Sequence, residues 1–455
     1  MTSSTSVGPR RPAEYPALLR VQPPSGRGTR GGVTKRPKNV FLLGPDERNL
    51  ALMRELQHLA PYRFHALLDK EQLMYGDIGL EELLEKAQQR LDDFSEPIDA
   101  IVGYWDFPVS SMVPVLATDN GLPGPSLESV VKCEHKYWSR LVQREVTDAH
   151  PGFAIVDLDD PQTPPGMRFP MWLKPVKSFS SDLAFKADDE DQLRAAAAEI
   201  RDGIGRIGRA FDFLLSKLEL PPAIEEAGGM ACLAEEAVRG EQLTTEGYVH
   251  GGRAHVHGVV DSLCYPDSSS FLRYQYPSQA PEEVQERIIE ISREVIEHMG
   301  LNDSTFNIEF FWDTDTDAVN ILEINPRLSQ SHAPLFELVD GMPNHQAMVQ
   351  LAVGEEPTMP SREGPHRIAA KWFHRVFDDA VVNSTPSDDD LARLAEELPG
   401  ATVDIIAERG ARLSDLPAQD SYSYELFAVY LGAADEDELR AKFDRCVQLL
   451  PFDLT

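Results

Sequence analysis

Cysteine is scarce in this chain: four in 455 residues, at Cys133, Cys232, Cys264 and Cys446. No two form a CxxC pair, which argues against a disulfide framework or a zinc site, and buried reduced thiols are expected. Long apolar runs are missing too. No stretch approaches the roughly 18 or more consecutive apolar residues of a membrane helix, and the first residues hold no apolar signal core. A soluble cytoplasmic protein with no membrane partner is the expectation. Positive charge is in short supply, with 43 Lys and Arg against 75 Asp and Glu and a net charge of −32. That balance disfavours nucleic acid and anionic lipid as partners. Internal repeats are absent, and so is a GxGxxG loop, which removes the usual argument for a dinucleotide.

What is present is the composition of a globular chain, 42% hydrophobic and 26% charged, long enough for several domains. Residues 1–38 are rich in Ser, Pro, Gly and Arg, carry eight Lys and Arg against Glu14 alone, and have no hydrophobic period. They read as a disordered basic tail. Over 39–125, apolar strands (Asn39 to Gly44, Tyr62 to Leu68, Ala100 to Tyr104) alternate with helical segments (to about Leu59, then Leu80 to Phe94). This pattern predicts an N-terminal parallel α/β domain. Gly121-Leu-Pro-Gly-Pro-Ser126 punctuates the chain. Beyond it a hairpin is expected around Gly251-Gly252 within 242–261, and a helix over 282–299 with Val284, Ile288, Ile291, Val295 and Met299 as its buried stripe. Residues 354–365 read as a linker. After them, strands at 368–373, 403–407 and 424–431 and a helix at 436–449 predict a small C-terminal α+β domain over 365–455.

The most informative stretch is Phe306 to Arg327. Apolar runs flank the polar segment Asp313-Thr-Asp-Thr-Asp317, which predicts an antiparallel hairpin. With the turn centred on Thr316, Glu309 faces Glu323 and Asn307 faces Asn325. Side chains alternate along a strand, so Glu323 and Asn325 share a face. Like charges opposed across strands repel, and burying a carboxylate costs several kcal/mol. A hard divalent cation removes both costs, and magnesium takes one or two carboxylates plus substrate phosphates. A solvated strand face is the bland alternative, and Phe310-Phe311-Trp312 beside Glu309 argues against it. An EF-hand also fails, since Ala318 stands where that loop needs Gly and Ile324 where it needs Glu. Arg327 follows as a permanent cation.

The spacing Glu309…Glu323-Ile-Asn325-Pro-Arg327 resembles the metal-binding end of the ATP-grasp ligases. The resemblance implies a two-lobed ATP-grasp domain, lobe 1 over 126–240 and lobe 2 with the metal site over 241–355. It implies that Glu309, Glu323 and Asn325 bind Mg2+, with Mn2+ as an alternative, and that Arg327 stabilises an acyl phosphate. Met171-Trp-Leu-Lys174-Pro175 resembles the strand whose lysine meets the ATP phosphates. Lys136 resembles the earlier ATP lysine at a helix start, with Lys132 as runner-up. Leu233 to Glu241 resembles the adenine hinge, which puts Glu235, Val238 and Glu241 on the nucleotide.

Two departures stand out. The segment Val176 to Asp182 lacks the family's glycines, leaving Ser180 and Ser181 as the phosphate-binding candidates. After Arg327 the chain runs Leu328-Ser-Gln-Ser331-His332 where many members have glycines. His257, Arg273 and Ser331 are the candidate substrate contacts. The ending from Gly410 to Leu426 resembles L-amino-acid ligases and carnosine-synthase-like members. The implied activity is an ATP-dependent carboxylate–amine ligase forming an amide through an acyl phosphate, acting on small amino-acid-like substrates, with a homodimer allowed. The alternatives are bicarbonate activation of the biotin carboxylase type and an ATP-binding regulator without catalysis.

Overall fold

The structure, a computed structural model, describes residues 36–54, 62–74, 79–178, 183–416 and 423–455. The expected tail falls almost wholly outside the described residues. Three strands open the fold: β1 (Lys38–Leu43), β2 (Tyr62–Leu68) and β3 (Ala100–Val102). They pair in parallel in the order β2-β1-β3. Continuously apolar strands such as Val40 to Leu43 are buried, as a parallel sheet covered by helices requires. The helix Leu80–Asp92 covers it with Leu80, Leu83, Leu84, Ala87 and Leu91.

The next segment forms an antiparallel sheet of β4 (Phe153–Val156), β5 (Met171–Pro175), β6 (Phe185–Ala187) and β7 (Cys232–Glu236), in the order β4-β7-β5-β6. The helix Lys136–Val146 precedes it. Glu190–Gly203 and Gly205–Leu215 lie between β6 and β7.

The remaining strands are β8 (Glu241–His250), β9 (Arg253–Cys264), β10 (Phe271–Tyr276), β11 (Ser304–Asp313), β12 (Ala318–Asn325), β13 (Ile368–Val376), β14 (Val382–Ser384), β15 (Thr402–Ile405), β16 (Tyr424–Ala433) and β17 (Asp453–Leu454). Eight of them make one sheet, β12-β11-β8-β9-β10-β13-β16-β15. The linker at 354–365 therefore separates stretches of sequence but not sheets: β13 pairs with β10, placing Arg273 opposite Trp372 and Tyr274 opposite Lys371. Residues 37–455 form one compact unit. The hairpin β8/β9 turns at Gly251 and Gly252, both at positive φ (59° and 75°), as a tight two-residue turn demands.

The helix Glu282–Met299 buries Val284, Ile288, Val295, Ile296 and Met299, with Ile291 at the margin. Ser292 joins the buried stripe because its hydroxyl bonds Thr245 Oγ1 (2.9 Å) and the Ile288 carbonyl (2.6 Å). Cys133, Cys232 and Cys446 are buried free thiols, whereas Cys264 is exposed at the end of β9. Among the described residues no helix is long and apolar enough to cross a membrane.

Candidate active site

The hairpin β11/β12 sets Glu309 directly opposite Glu323 and Asn307 opposite Asn325. Nearer the turn the register slips by one residue between Glu309 and Phe310, so Phe310 faces Ile321. The polar turn is 314–317. Asn325 Nδ2 donates to Asn307 Oδ1 (3.0 Å), and Asn307 Nδ2 donates to the Arg327 carbonyl (3.0 Å). The carboxamide of Asn325 is thereby oriented, with no described residue bonded to its oxygen.

The two carboxylates live in different fields. Burial, reinforced by the charge of Glu323, pushes the Glu309 carboxyl up to about 7, against Arg327 and a hydrogen bond from Gln242 Nε2 (2.9 Å). Burial would raise Glu323 as well. Lys136, followed by Lys174 and Lys177, outweighs it and holds that carboxyl down to about 2. Among the described residues there is no cluster of three or more His, Cys, Asp or Glu. The donors here are two carboxylates and a carboxamide oxygen on one face, an all-oxygen set that fits a hard divalent cation completed by substrate oxygens.

Lys136 starts its helix behind His135, whose ring accepts from the Trp138 N–H (3.2 Å). Its Nζ lies 2.8 Å from Glu323 Oε1 and 2.9 Å from the Ser178 carbonyl. The runner-up Lys132 instead pairs with Glu128 (2.6 Å) and lines a separate outer groove with Trp138 and His298. Lys174 is the penultimate residue of β5, with Nζ 2.6 Å from Glu235 Oε2 on β7. Glu235 is also held by Arg140 Nε at 2.6 Å, and Arg140 reaches on to the Leu322 carbonyl (2.8 Å). Glu235 is thus engaged by two cations inside the protein. Val238 is half-buried in the connector between β7 and β8, and Glu241 is exposed at the start of β8. Ser180 and Ser181 lie outside the described residues.

Arg327 donates from Nε (2.8 Å) and an Nη (2.6 Å) to Asp106 Oδ1, in the loop after β3. The loop behind Arg327 is pinned by Glu246 of β8, which is fully buried. Glu246 accepts from the Ser329 N–H (3.2 Å), contacts His332 Nδ1 (2.9 Å) and accepts from Asn344 Nδ2 (3.2 Å). Ser331 lies on this loop, its Oγ 3.2 Å from Lys371 Nζ.

His257 packs edge-on to Phe336 (4.9 Å between ring centres) and beside Tyr248 (6.3 Å). Among the described residues neither ring nitrogen has a partner, and burial lowers its pKa to about 4, which keeps the ring neutral. The expectation for Arg273 needs correcting. Its neighbour Tyr274 faces the His332 ring (5.0 Å), and alternation turns Arg273 to the other face of the sheet. There it stacks on Trp372 (4.4 Å) and pairs with Glu436 (2.6 Å) of the C-terminal helix.

Asp106, Arg140, Gln242 and Glu246 are the contributors that motif reasoning misses. Arg140 carried a signal, one helical turn after Lys136 and so on the same helix face. Gln242, Thr244 and Glu246 carried another, polar residues alternating along β8 beside the β11/β12 hairpin. Asp106 carried none, since only the tertiary fold brings its loop to Arg327.

A model of the ATP-grasp domain family matches residues 167–334. A relative, the uncharacterized protein y4rH of Sinorhizobium fredii (strain NBRC 101917 / NGR234), is 25% identical over 248 residues, 53% of this chain and 46% of its own. The match thus spans less than half of that relative's length. Among solved structures, the L-amino acid ligase from Bacillus licheniformis superposes with a TM-score of 0.68 at 15% identity, covering 93% of this chain and 100% of that one. Phosphoribosylglycinamide synthetase from Anaerococcus prevotii gives 0.61 at 14%, covering 92% and 100%. Biotin carboxylase from Campylobacter jejuni gives 0.60 at 14%, covering 92% of each chain. At these identities the likeness is one of fold.

Proposed function

We propose that this chain, which carries an ATP-grasp domain in an ATP-grasp fold, is an ADP-forming carboxylate–amine ligase acting on small amino-acid-like substrates in the cytoplasm. The observation that supports this reading most is the pairing of Glu309 with Glu323 across β11/β12, with Lys136 2.8 Å from Glu323 and Arg327 following Asn325. Glu309, Glu323 and Asn325 hold Mg2+ or Mn2+. The cation supplies charge neutralisation for the terminal phosphates of ATP.

On this reading ATP lies between the lobes, with Lys136 and Lys174 on its phosphates and the 235–241 connector on adenine and ribose. A carboxylate oxygen of the first substrate attacks the γ-phosphorus, the β–γ bridging bond breaks, and ADP leaves. Arg327 stabilises the acyl phosphate, held in place by Asp106. An amine then attacks the acyl carbon and expels inorganic phosphate, releasing a proton. Phosphoryl transfer needs mainly positioning and fixed charge, which this set of side chains supplies.

The test is ADP release with Mg·ATP across a panel of amino-acid pairs, with bicarbonate as a separate arm. Glu323→Ala should abolish release while leaving the thermal unfolding midpoint in place. Full activity in that variant would remove the metal site from the reading. Release with bicarbonate alone would favour carboxyphosphate chemistry, and ATP binding without ADP from any pair would favour a regulator.

A further inference from the structure

One row of side chains crosses the large sheet on the face of the metal carboxylates. Gln242, which donates to Glu309, is paired with Ser262 on β9, Ser262 with Tyr274 on β10, Tyr274 with Lys371 on β13, and Lys371 with Tyr430 on β16. Directly opposed residues share a face, so the row is a continuous floor running away from the cation site. Neighbouring strands are about 4.8 Å apart, which places the Lys371 backbone roughly 14 Å from Gln242 before either side chain reaches inward. Burial, and after it the charge of Glu309, raises the Tyr274 hydroxyl pKa.

Two elements wall this floor. The loop after Arg327 stands over it, with the Ser331 hydroxyl on Lys371 and the His332 ring on Tyr274. Arg48 of the N-terminal domain closes the far end, bonding Gln330 Oε1 (2.7 Å), pairing with Asp404 and lying over the Tyr430 ring at 5.3 Å.

The cations along this face differ in one respect. Lys136, Arg327 and Arg48 each have a carboxylate partner, Glu323, Asp106 and Asp404. Lys371 has none among the described residues. Lys371 is half-buried, and among the described residues its ammonium meets the Ser331 hydroxyl and the faces of Phe373 (4.7 Å) and Tyr430 (5.5 Å). In a chain with 75 acidic side chains against 43 basic ones, an ammonium on this face without a carboxylate partner is free to make a charge-assisted bond to a carboxylate from outside. It also lies on the opposite side of Glu309 from Lys136, which reaches the site over the edge strand β12. On the ligase reading, phosphates on the Lys136 side leave the other side for the amine-bearing substrate.

Resting on the ligase reading above, we infer that the amine-supplying substrate carries a free carboxylate, bound by Lys371 with Ser331 at the distal end of this floor. The acceptor is then an amino acid, and not a simple amine. An amino-acid amide is the discriminating probe, because it has an amine to offer and no carboxylate to activate.

The experiment measures ADP release by the full chain with Mg·ATP for amino-acid pairs, and with the second amino acid replaced by its amide. Wild type should favour the free-acid acceptor by at least about tenfold in kcat/KM. Lys371→Met should collapse that ratio towards one with the KM for ATP held, and Lys371→Arg should restore it. A purely structural lysine, covering the Tyr430 ring, would lower both acceptors together. An unchanged acid-to-amide ratio in Lys371→Met, or a wild type indifferent to the amide, overturns this inference alone. ADP release from no acid–amine pair overturns the ligase reading and this inference with it.

Discussion

Arg140 Nε and Glu235 Oε1 lie 2.6 Å apart in the interior, and the second oxygen of Glu235 lies 2.6 Å from Lys174 Nζ. One buried carboxylate thereby ties the helix Lys136–Val146 to the lysine strand β5. Arg140 extends the link to the carbonyl of Leu322, the residue before Glu323. Burial alone would raise the Glu235 carboxyl, but Arg140 and Lys174 hold it down to about 2 from an ordinary 4.5. A folded-state value below the unfolded one gives stability that is present above about pH 4.5 and lost as pH falls towards 2, on the order of 3 kcal/mol for such a shift. Glu235→Gln leaves two buried cations without their counter-charge and should cost about 3–5 kcal/mol in urea unfolding at pH 7. It should also flatten the acid limb of the stability profile. A variant as stable as wild type at pH 7 would show that the pairs carry no weight.

On the ligase reading, the opposition of Glu309 and Glu323 sets function against stability at one point of the sheet. Glu309→Gln keeps the shape and the Gln242 neighbour and removes the like charge facing Glu323. The metal-free variant should be at least as stable as wild type, by up to about 1 kcal/mol, since like charges directly opposed across strands are unfavourable. The stabilisation that wild type gains from added Mg2+, which follows from ligand linkage, should shrink sharply in the variant, and ADP release should fall by about a hundredfold or more. Paired thermal melts with and without Mg2+ separate the two effects. Equal magnesium-induced shifts in the two proteins would take Glu309 out of the ligand set.

Glu246 acts through the loop it holds. The carboxylate is fully buried and serves Ser329, His332 and Asn344. Glu246→Ala removes the acceptor from all three, and each buried donor left unpaired costs about 1–3 kcal/mol. The loop also carries Ser331, next to its anchors, and begins at Arg327. Glu246→Ala should therefore lower kcat and raise the KM of the carboxylate and amine substrates, with the KM for ATP much less affected. If only the KM for ATP moved, the assignment of this loop to the substrate side would be wrong.

The β11/β12 hairpin is legible in the sequence because strand alternation and a short polar turn leave little freedom in the register. The half-residue offset at the turn, Asp313 opposite Ala318, is cancelled by the bulge beside Leu322, and Glu309 still meets Glu323. The N-terminal sheet is legible for a related reason, as strands buried on both faces read as unbroken apolar runs. What local pattern does not carry is the partner of a charge. Nothing near Arg327 points to Asp106, 221 residues away, and nothing near Lys174 shows that Glu235 neutralises it and not solvent or phosphate. Arg273 is the instructive failure. One position along β10 decides whether a cation faces Tyr274's side or the Trp372 ring, and a short strand with a register shift beside Phe271 does not fix that parity in advance. The fusion of β10 with β13 is hidden as well, because long-range strand pairing leaves no trace in either segment alone.

The connector between the two lobes can be tested through a single glycine. Gly240 sits at φ +136°, and a Cβ built there meets the Trp312 carbonyl oxygen at 2.1 Å, its carbon at 2.4 Å and the Asp313 nitrogen at 2.7 Å. All three are backbone atoms of β11, the strand that carries Glu309, so no side-chain rotation relieves the contact. Gly251 supplies the control: it has φ +59° in the β8/β9 turn with nothing within 4 Å of the built Cβ. Gly251→Ala tests the backbone term alone, about 1–2 kcal/mol. Gly240→Ala adds a steric term of roughly 1–3 kcal/mol that only movement of β8 against β11 can relax. Gly240→Ala should therefore cost at least about twice as much in urea unfolding. It should also raise the KM for ATP, since Val238 and Glu241 flank the glycine, whereas Gly251→Ala leaves that KM alone. Equal costs for the two substitutions would mean that the approach of this connector to β11 is looser than the structure has it.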